Sequence, residues 1–228
     1  MRPFWEQTGL NFVNPGEPRW TESECVLWSG DVFELPVLLP ALQYLICFAH
    51  TEEYLRRSAD MIAISPNLRG VDFGTLGVVE GTRALVNAFQ KTPQLKEVRL
   101  SFGHDDVDTT RMFLDSLGKL SLTAVEVWFF RKKQSVLAEH LCSYLQTAKS
   151  LEIVFISADE AQFGEAFCQR LAAAPFASKS LRTLNLCLSL SCEDVNFVLS
   201  AIQNPSCLRK LELTCAFDGS LPAFKHFA

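Results

Sequence analysis

Four histidines and eight cysteines are the residues of this 228-residue chain most suited to nucleophilic, metal or acid–base chemistry. Their spacing argues against most of it. His50, His104, His140 and His226 are scattered. His140 stands beside Leu137 and Leu141 on an apolar helical stripe, the setting of a core histidine with satisfied nitrogens rather than of a catalytic base. His104-Asp105-Asp106-x-Asp108 is the densest polar cluster. Its carboxylates could meet a cation, but it lacks the glycine and terminal glutamate of a calcium loop. It reads as a solvated strand-to-helix turn with an acid at the helix start. The cysteines fall at 25, 47, 142, 168, 187, 192, 207 and 215. Cys187, Cys192 and Cys207 have neither a Cys-x-x-Cys partner nor a nearby histidine, which argues against zinc. No Gly-x-x-x-x-Gly-Lys-Ser/Thr phosphate loop, Gly-x-Ser-x-Gly elbow or His-Glu-x-x-His pair occurs. The chain is therefore expected to be no enzyme, with no catalytic residue, cofactor or bound metal.

Charge narrows the partners further. Lys and Arg total 21 against 26 Asp and Glu, a net charge of -5, whereas affinity for nucleic acid rests on a basic surplus facing phosphates. The one dense basic run, Arg131-Lys132-Lys133, reads as a solvated turn. No nucleic-acid partner is expected. The start, Met1-Arg2-Pro3-Phe4-Trp5-Glu6, turns acidic and aromatic at once and has no secretory pattern. Asn204-Pro205-Ser206 is barred from glycosylation by its proline. The longest stretch without Asp, Glu, Lys or Arg is Leu35 to Thr51, and Pro36 and Pro40 interrupt it; that is marginal for a bilayer crossing. These signals predict a soluble, cytoplasmic, reduced chain with no membrane contact, and a monomer.

The elements that would position any site show themselves as a repeat. Leucine makes up 32 residues, and Leu-x-x-apolar-x-apolar recurs seven times. It begins at Leu42, Leu68, Leu95, Leu122, Leu151, Leu181 and Leu208, at spacings of 26, 27, 27, 29, 30 and 27. Within each unit an alternating run such as Val98-Arg99-Leu100 predicts a strand. An amphipathic helical stretch follows: Met112, Phe113, Leu117 and Leu120 mark one, and Val136, Leu137, His140, Leu141, Tyr144 and Leu145 another. Phe163, Phe167 and Leu171 mark a third, and Val195, Val198, Leu199 and Ile202 a fourth. Ser157-Ala158-Asp159-Glu160 and Ser191-Cys192-Glu193-Asp194 both read as helix starts in which a serine and an acid satisfy free amides. Pro66-Asn67, Pro93-Gln94 and Pro205-Ser206-Cys207 stop helices just before the next leucine. A unit of one strand and one helix cannot bury both faces alone, so neighbours must stack.

This grammar resembles the leucine-rich repeat superfamily, in particular its long-repeat, ribonuclease-inhibitor-like class, over roughly residues 42 to 215. The resemblance implies an α/β solenoid, a horseshoe of about seven repeats, with a parallel sheet on the concave face and helices on the convex face. It also implies that small buried cysteines serve as packing residues. The chain departs from the family at the ninth position, where Asn or Cys would bond the turn. Here that position holds His50, Leu76, Gly103, Phe130, Asp159, Ser189 and Ala216. This is a degenerate repeat without the ladder, and apolar packing of Leu76 and Phe130 is expected to hold two of the turns. Residues 1–41 do not repeat cleanly and carry Trp5, Trp20, Trp28 and a Pro-Gly-Glu-Pro turn at 15–18. They read as an N-terminal cap before a repeat domain at 42–228. The fifteen residues after Leu213 either close the solenoid as a short irregular cap or mark a fragment of a longer protein.

Related families test the function. Ran GTPase-activating proteins share this repeat class and place an arginine in a loop just after a strand. The matching stretch, Gly74-Thr75-Leu76-Gly77-Val78, has none, and Arg83 falls inside the next predicted helix. F-box receptors of ubiquitin ligases and NLR-type sensors also carry such repeats, but residues 1–41 show no F-box pattern and no nucleotide-binding module is present. With positions 2, 3, 5 and 7 of each unit turned to the concave surface, the predicted partner-binding residues are Lys96, Arg99, Glu126, Trp128, Phe155, Arg182, Asn185 and Glu212. Glu97 lies in the same array, and Tyr44 and Ile46 stand toward its N-terminal end. Large aromatics beside charges are the composition of an interface anchor. The resulting expectation is a non-catalytic scaffold binding a protein partner; an adaptor or regulator in an enzyme system is the alternative.

Overall fold

The computed structural model describes residues 12–13, 25–28, 40–47, 51–76, 79–103, 107–130, 135–158, 161–173, 176–202 and 207–215. Among these, nine parallel strands lie in one sheet in strict chain order. They are β1 (Phe12–Val13), β2 (Cys25–Trp28), β3 (Tyr44–Cys47), β4 (Gly70–Leu76), β5 (Glu97–Phe102), β6 (Ala124–Phe129), β7 (Ile153–Ala158), β8 (Thr183–Leu190) and β9 (Lys210–Cys215). Six helices alternate with the last seven strands: α1 (Glu52–Ile64), α2 (Val79–Gln90), α3 (Val107–Leu117), α4 (Ser135–Thr147), α5 (Ala161–Ala173) and α6 (Cys192–Ala201). The fold is α/β, and each helix packs on the next, so the helices form one layer. Two short strands inside the segment read as non-repeating, β1 and β2, continue the same sheet, β2 in register with β3.

Alternation along each strand separates the two sheet faces. Val98, Leu100 and Phe102 of β5, and Val125, Val127 and Phe129 of β6, point into a buried core shared with the helices. The leading leucines Leu42, Leu68, Leu95, Leu122, Leu151 and Leu181 are all buried in it. Phenylalanines run through this core as a chain of rings. Phe73 meets Phe89 at 6.2 Å, Phe89 meets Phe113 edge-on at 5.3 Å, and Phe113 meets Phe102 at 6.1 Å. Phe102 then stacks on Phe129 at 5.6 Å, and Phe129 reaches Phe163 at 4.9 Å. Burying each such ring contributes about 1.5–3 kcal/mol, and offset or edge-to-face contacts add to that.

Backbone groups tie successive units together at the strand entries. The carbonyls of Gln43, Arg69, Lys96, Thr123, Glu152 and Arg182 each accept two amides from the following unit, at 2.7–2.8 Å and 3.0–3.1 Å. Side chains from outside the strands assist: the Ser150 hydroxyl donates to the Leu122 carbonyl at 2.7 Å, and the Ser178 hydroxyl to that of Leu151. The units from Leu68 to Leu208 are thereby each tied to their predecessor irrespective of side-chain type. Leu76 is fully buried, as expected of a packing residue, but Phe130 is not. It is 51% exposed and lies on the other side of the sheet from the core, because its ring stacks on Trp128.

Helix starts agree with the sequence at one site and not at another. Ser191 caps α6 and completes a reciprocal pair with Asp194: its hydroxyl accepts from the Asp194 amide while the Asp194 carboxylate accepts from the Ser191 amide. Ser157 does not cap a helix. Strand pairing sets Ser157 opposite Trp128 and Cys187 and carries β7 through Ala158, and α5 begins at Ala161. Leu120 and Ile202 likewise fall just outside α3 and α6.

One glycine sets the approach of α1 to α2. A Cβ added at Gly81 would lie 2.5 Å from Leu55 Cβ and 3.1 Å from the Glu52 carbonyl oxygen, neither the free end of a flexible chain. On an exposed helix Gly→Ala would stabilise by about 1 kcal/mol. Here the two helices must part, and overpacking of this kind costs about 1–3 kcal/mol. Gly81→Ala is therefore expected to lower the urea midpoint, by roughly 1–2 kcal/mol of stability; a raised midpoint would show that the helices are not in close contact there.

Candidate functional site

The face of the sheet opposite the helices carries six of the eight predicted site residues. In-register pairing aligns one residue from each of β3 to β9 into a row: Ile46, Asp72, Arg99, Glu126, Phe155, Asn185 and Glu212. A second row holds Tyr44, Gly70, Glu97, Ala124, Ile153, Thr183 and Lys210. Ser101, Trp128 and Ser157 form a third.

Four of the eight predicted residues form one connected group. Arg99 Nε lies 3.2 Å from Glu126 Oε1, and Arg99 Nη1 lies 3.6 Å from Asp72 Oδ2. The Trp128 indole donates to Glu126 Oε1 at 2.7 Å. The Arg99 guanidinium sits 5.7 Å from the Trp128 ring centre, a cation–π contact. Trp128 stacks on Phe155 at 4.7 Å and on Phe130 at 6.0 Å. Phe155 is buried among these groups although it belongs to the face away from the core. Trp128 is half-buried and turned away from the core side, where Phe129 lies.

The other predicted residues stand apart from this group. Asn185 is buried and its amide donates to Glu212 Oε2; Lys210 holds the other oxygen at 3.0 Å. Lys96 and Arg182 precede their strands. Lys96 Nζ donates to the Ser121 carbonyl at 3.3 Å, and exposed Arg182 lies 3.4 Å from Glu152. Position 2 of the unit therefore lies at the strand-entry edge, while positions 3, 5 and 7 make the face.

Asp72 was not among the predicted residues, and it is the most buried charge on this face, its side chain only 6% exposed. It holds position 5 of the unit that begins at Leu68, the position of Arg99 and Glu126 in the next two units; that offset is the signal by which it could have been found. Its Oδ1 has no hydrogen-bond partner. Burial pushes its carboxyl up to about 7, with Arg99 pulling it down and Glu126 pushing it up. Burial raises Glu97 to about 7 as well, against the lowering effects of the Tyr44 hydroxyl, which donates at 3.3 Å, and of Arg69.

Both carboxyls take up a proton on folding, since their folded values lie above the ordinary unfolded range near 4. The stability associated with that proton is whole below the unfolded value and is lost as pH rises through the folded one. Asp72→Asn should therefore gain on the native chain in unfolding free energy as pH goes from 5 to 8, by at most about 1.4 kcal/mol per pH unit. A pH-independent difference between the two chains would show that Asp72 keeps an ordinary acidity.

Tyr44 and Phe155 border a shallow depression of about 480 Å³, counting its space open to solvent. Its lining includes Ile46, Asp72, Glu97, Arg99, Glu126 and Ile153. A Cβ at Gly70 would lie 2.5 Å from Tyr44 Cδ1 and Cε1, so the missing side chain is what lets the tyrosine ring lie across β4.

Nucleophile and metal candidates find no such setting. Burial pushes the thiols of Cys47 and Cys168 up to about 12, and raises Cys142 too. None offers a thiolate near neutral pH. His140 is half-buried between α3 and α4, its Nδ1 3.5 Å from Asp115. Asp108 is exposed in the first turn of α3 and pairs with Arg111 at 2.8 Å. His50, His104, Asp105, Asp106, Asp159, Ala216 and His226, the run Arg131-Lys132-Lys133, the turn at 15–18, and Trp5 and Trp20 lie outside the described residues. Among the described residues, no group of three or more His, Cys, Asp or Glu is placed to hold a metal ion. No helix there is long and apolar enough to cross a membrane.

Comparisons with known proteins add no identification: no family model matches the chain, and no curated protein matches it.

Proposed function

We propose that this chain is a leucine-rich repeat protein of the ribonuclease-inhibitor-like class. In this reading its units stack into a horseshoe solenoid, and it acts as a non-catalytic scaffold that binds a protein partner through the concave sheet face. The regular 26–30-residue spacing and the in-register strand order support the architecture. Free thiols at Cys47, Cys142 and Cys168 suit a reducing, intracellular setting.

The observation that carries the functional reading is the group Arg99, Trp128, Phe155 and exposed Phe130 on a sheet face the helices do not cover. Stacked aromatics held by an arginine are the anchors that dominate binding energy at interfaces, and they are arranged before any partner arrives. Replacing Arg99, Trp128 and Phe155 together by alanine should abolish capture of the partner, identified by pull-down and mass spectrometry with the native chain. Circular dichroism should report an unchanged fold. Unchanged capture by the triple variant would sink the assignment of this surface.

A further inference from the structure

The core that runs through the units is closed at every one of them but the last. At the first, fourth and sixth positions Leu151, Val154 and Ile156 are buried, and so are Leu181, Leu184 and Leu186. Leu208, Leu211 and Leu213 hold the same positions in the next unit and are only partly buried against that core. They belong to the unit of β9, the end strand of the sheet, and among the described residues no strand pairs with its outer edge. The Lys210 amide donates inward, to the Arg182 carbonyl at 3.0 Å. Backbone groups alternate in direction along a strand, so the amides and carbonyls of Leu211 and Leu213 point to the outer edge, a template for one more strand.

Charge on β9 selects that strand. Lys210 and Glu212 are both about half exposed and lie on the face away from the helices, 3.0 Å apart. A charged edge ordinarily repels a second copy of itself. This one alternates in sign across Leu211, so it is complementary to its own sequence read in the opposite direction.

We propose that β9 pairs antiparallel with β9 of a second copy of this chain, about a two-fold axis through Leu211 and normal to the sheet. In this register Leu211 faces Leu211 of the second copy and exchanges amide-to-carbonyl bonds with it. Lys210 of each copy stands opposite Glu212 of the other, in the flanking pairs where antiparallel strands bring side chains closest. The neighbouring registers are poorer. An axis through Glu212 sets two glutamates opposite each other, and an axis through Leu213 sets Glu212 opposite uncharged Thr214. The contact is isologous and closes at two copies. It also withdraws the half-buried leucines from water and sets the two helix-free sheet faces side by side. The pairing is independent of the protein-binding reading above, and it gives a dimer where the sequence alone predicts a monomer.

Sedimentation velocity of the full chain over a range of concentrations, with Lys210→Glu, Glu212→Lys and an equimolar mixture of the two variants, tests the pairing. The native chain should show a reversible monomer–dimer equilibrium. Each variant alone places like charges opposite each other twice, so its self-association should weaken about tenfold or more. In the mixture, strands with two acids meet strands with two lysines, and association should return to about the native level. The contact within each chain stays broken in both variants, so recovery on mixing reports the contact between copies alone. Both positions are partly exposed, and thermal unfolding should find the variants folded.

A native chain that stays monomeric at every concentration would overturn the proposal. So would a dimer indifferent to both charge reversals, or variants that fail to associate when mixed. None of these results bears on capture through Arg99, Trp128 and Phe155, which lie on strands away from this edge.

Discussion

Phe102→Ala should lower the stability of this chain by about 3–5 kcal/mol, the range for removing a fully buried aromatic ring. Phe102 is entirely buried and touches Phe113 on one side and Phe129 on the other. Phe113 belongs to the same unit as Phe102 and Phe129 to the next, so loss of Phe102 opens a cavity that reaches the interface between the two. In stacked repeats stability is approximately a sum of unit terms and interface terms, so a lesion at an interface weakens the coupling between its two sides. The thermal midpoint should fall by about 2–4 °C per kcal/mol for a chain of this size, and the transition should broaden as the two halves begin to melt separately. Trp128→Ala, on the other face, should shift the midpoint far less. Equal shifts for Phe102 and Trp128 would mean that the ring chain does not bear the coupling assigned to it.

Arg99→Met should be the second large effect, and its size should depend on pH. The substitution keeps the aliphatic stem but removes the counter-charge of Asp72, a side chain with 6% exposure. Removing one partner of a buried pair costs about 3–5 kcal/mol. Arg99 itself is 25% exposed, and Asp72 can shed its charge by taking a proton. The expected loss is therefore about 2–3 kcal/mol at pH 8, and smaller at pH 6. Adding Asp72→Asn to Arg99→Met should recover most of it. A double-mutant cycle with no coupling between the two positions would show that the 3.6 Å contact has no energetic content.

The strands were legible in the sequence because each unit writes its alternation at a nearly fixed spacing, from Leu42 to Leu208. In-register pairing then followed without further information: equal units stacked in parallel put Arg99 opposite Glu126 and Glu126 opposite Phe155. Asp72 escaped notice although the same register places it beside Arg99. In the unit from Leu68 the acid at the fifth position stands between two glycines, Gly70 and Gly74, and carries no aromatic or basic neighbour on its own strand face to mark it as a site. β2 escaped for a different reason. Its unit has Ser23 where the others have leucine, and only 19 residues separate Cys25 from its partner Tyr44, too few for the helical limb that the periodicity requires.

Side-chain outcomes at strand ends were not legible. Phe130 looks like a buried turn residue by composition, yet stacking on Trp128 leaves it half exposed. Ser157 matches a helix cap by spacing, yet pairing with Cys187 and Trp128 keeps it in the sheet. In both cases a neighbouring strand decided, and no local pattern encodes a neighbour. The carbonyl ladder at the strand entries was equally hidden, since it is made by backbone and leaves no residue signature.

Photo-cross-linking of the captured partner tests the central claim most directly. A benzoylphenylalanine placed at Ser101, buried on the sheet face beside Trp128, or at Thr183 reports that face; one placed at exposed Glu139 on α4 reports the helical side. The sheet-face reading predicts partner adducts from Ser101 and Thr183 and none from Glu139. Adducts from Glu139, with neither sheet position reacting, would contradict it.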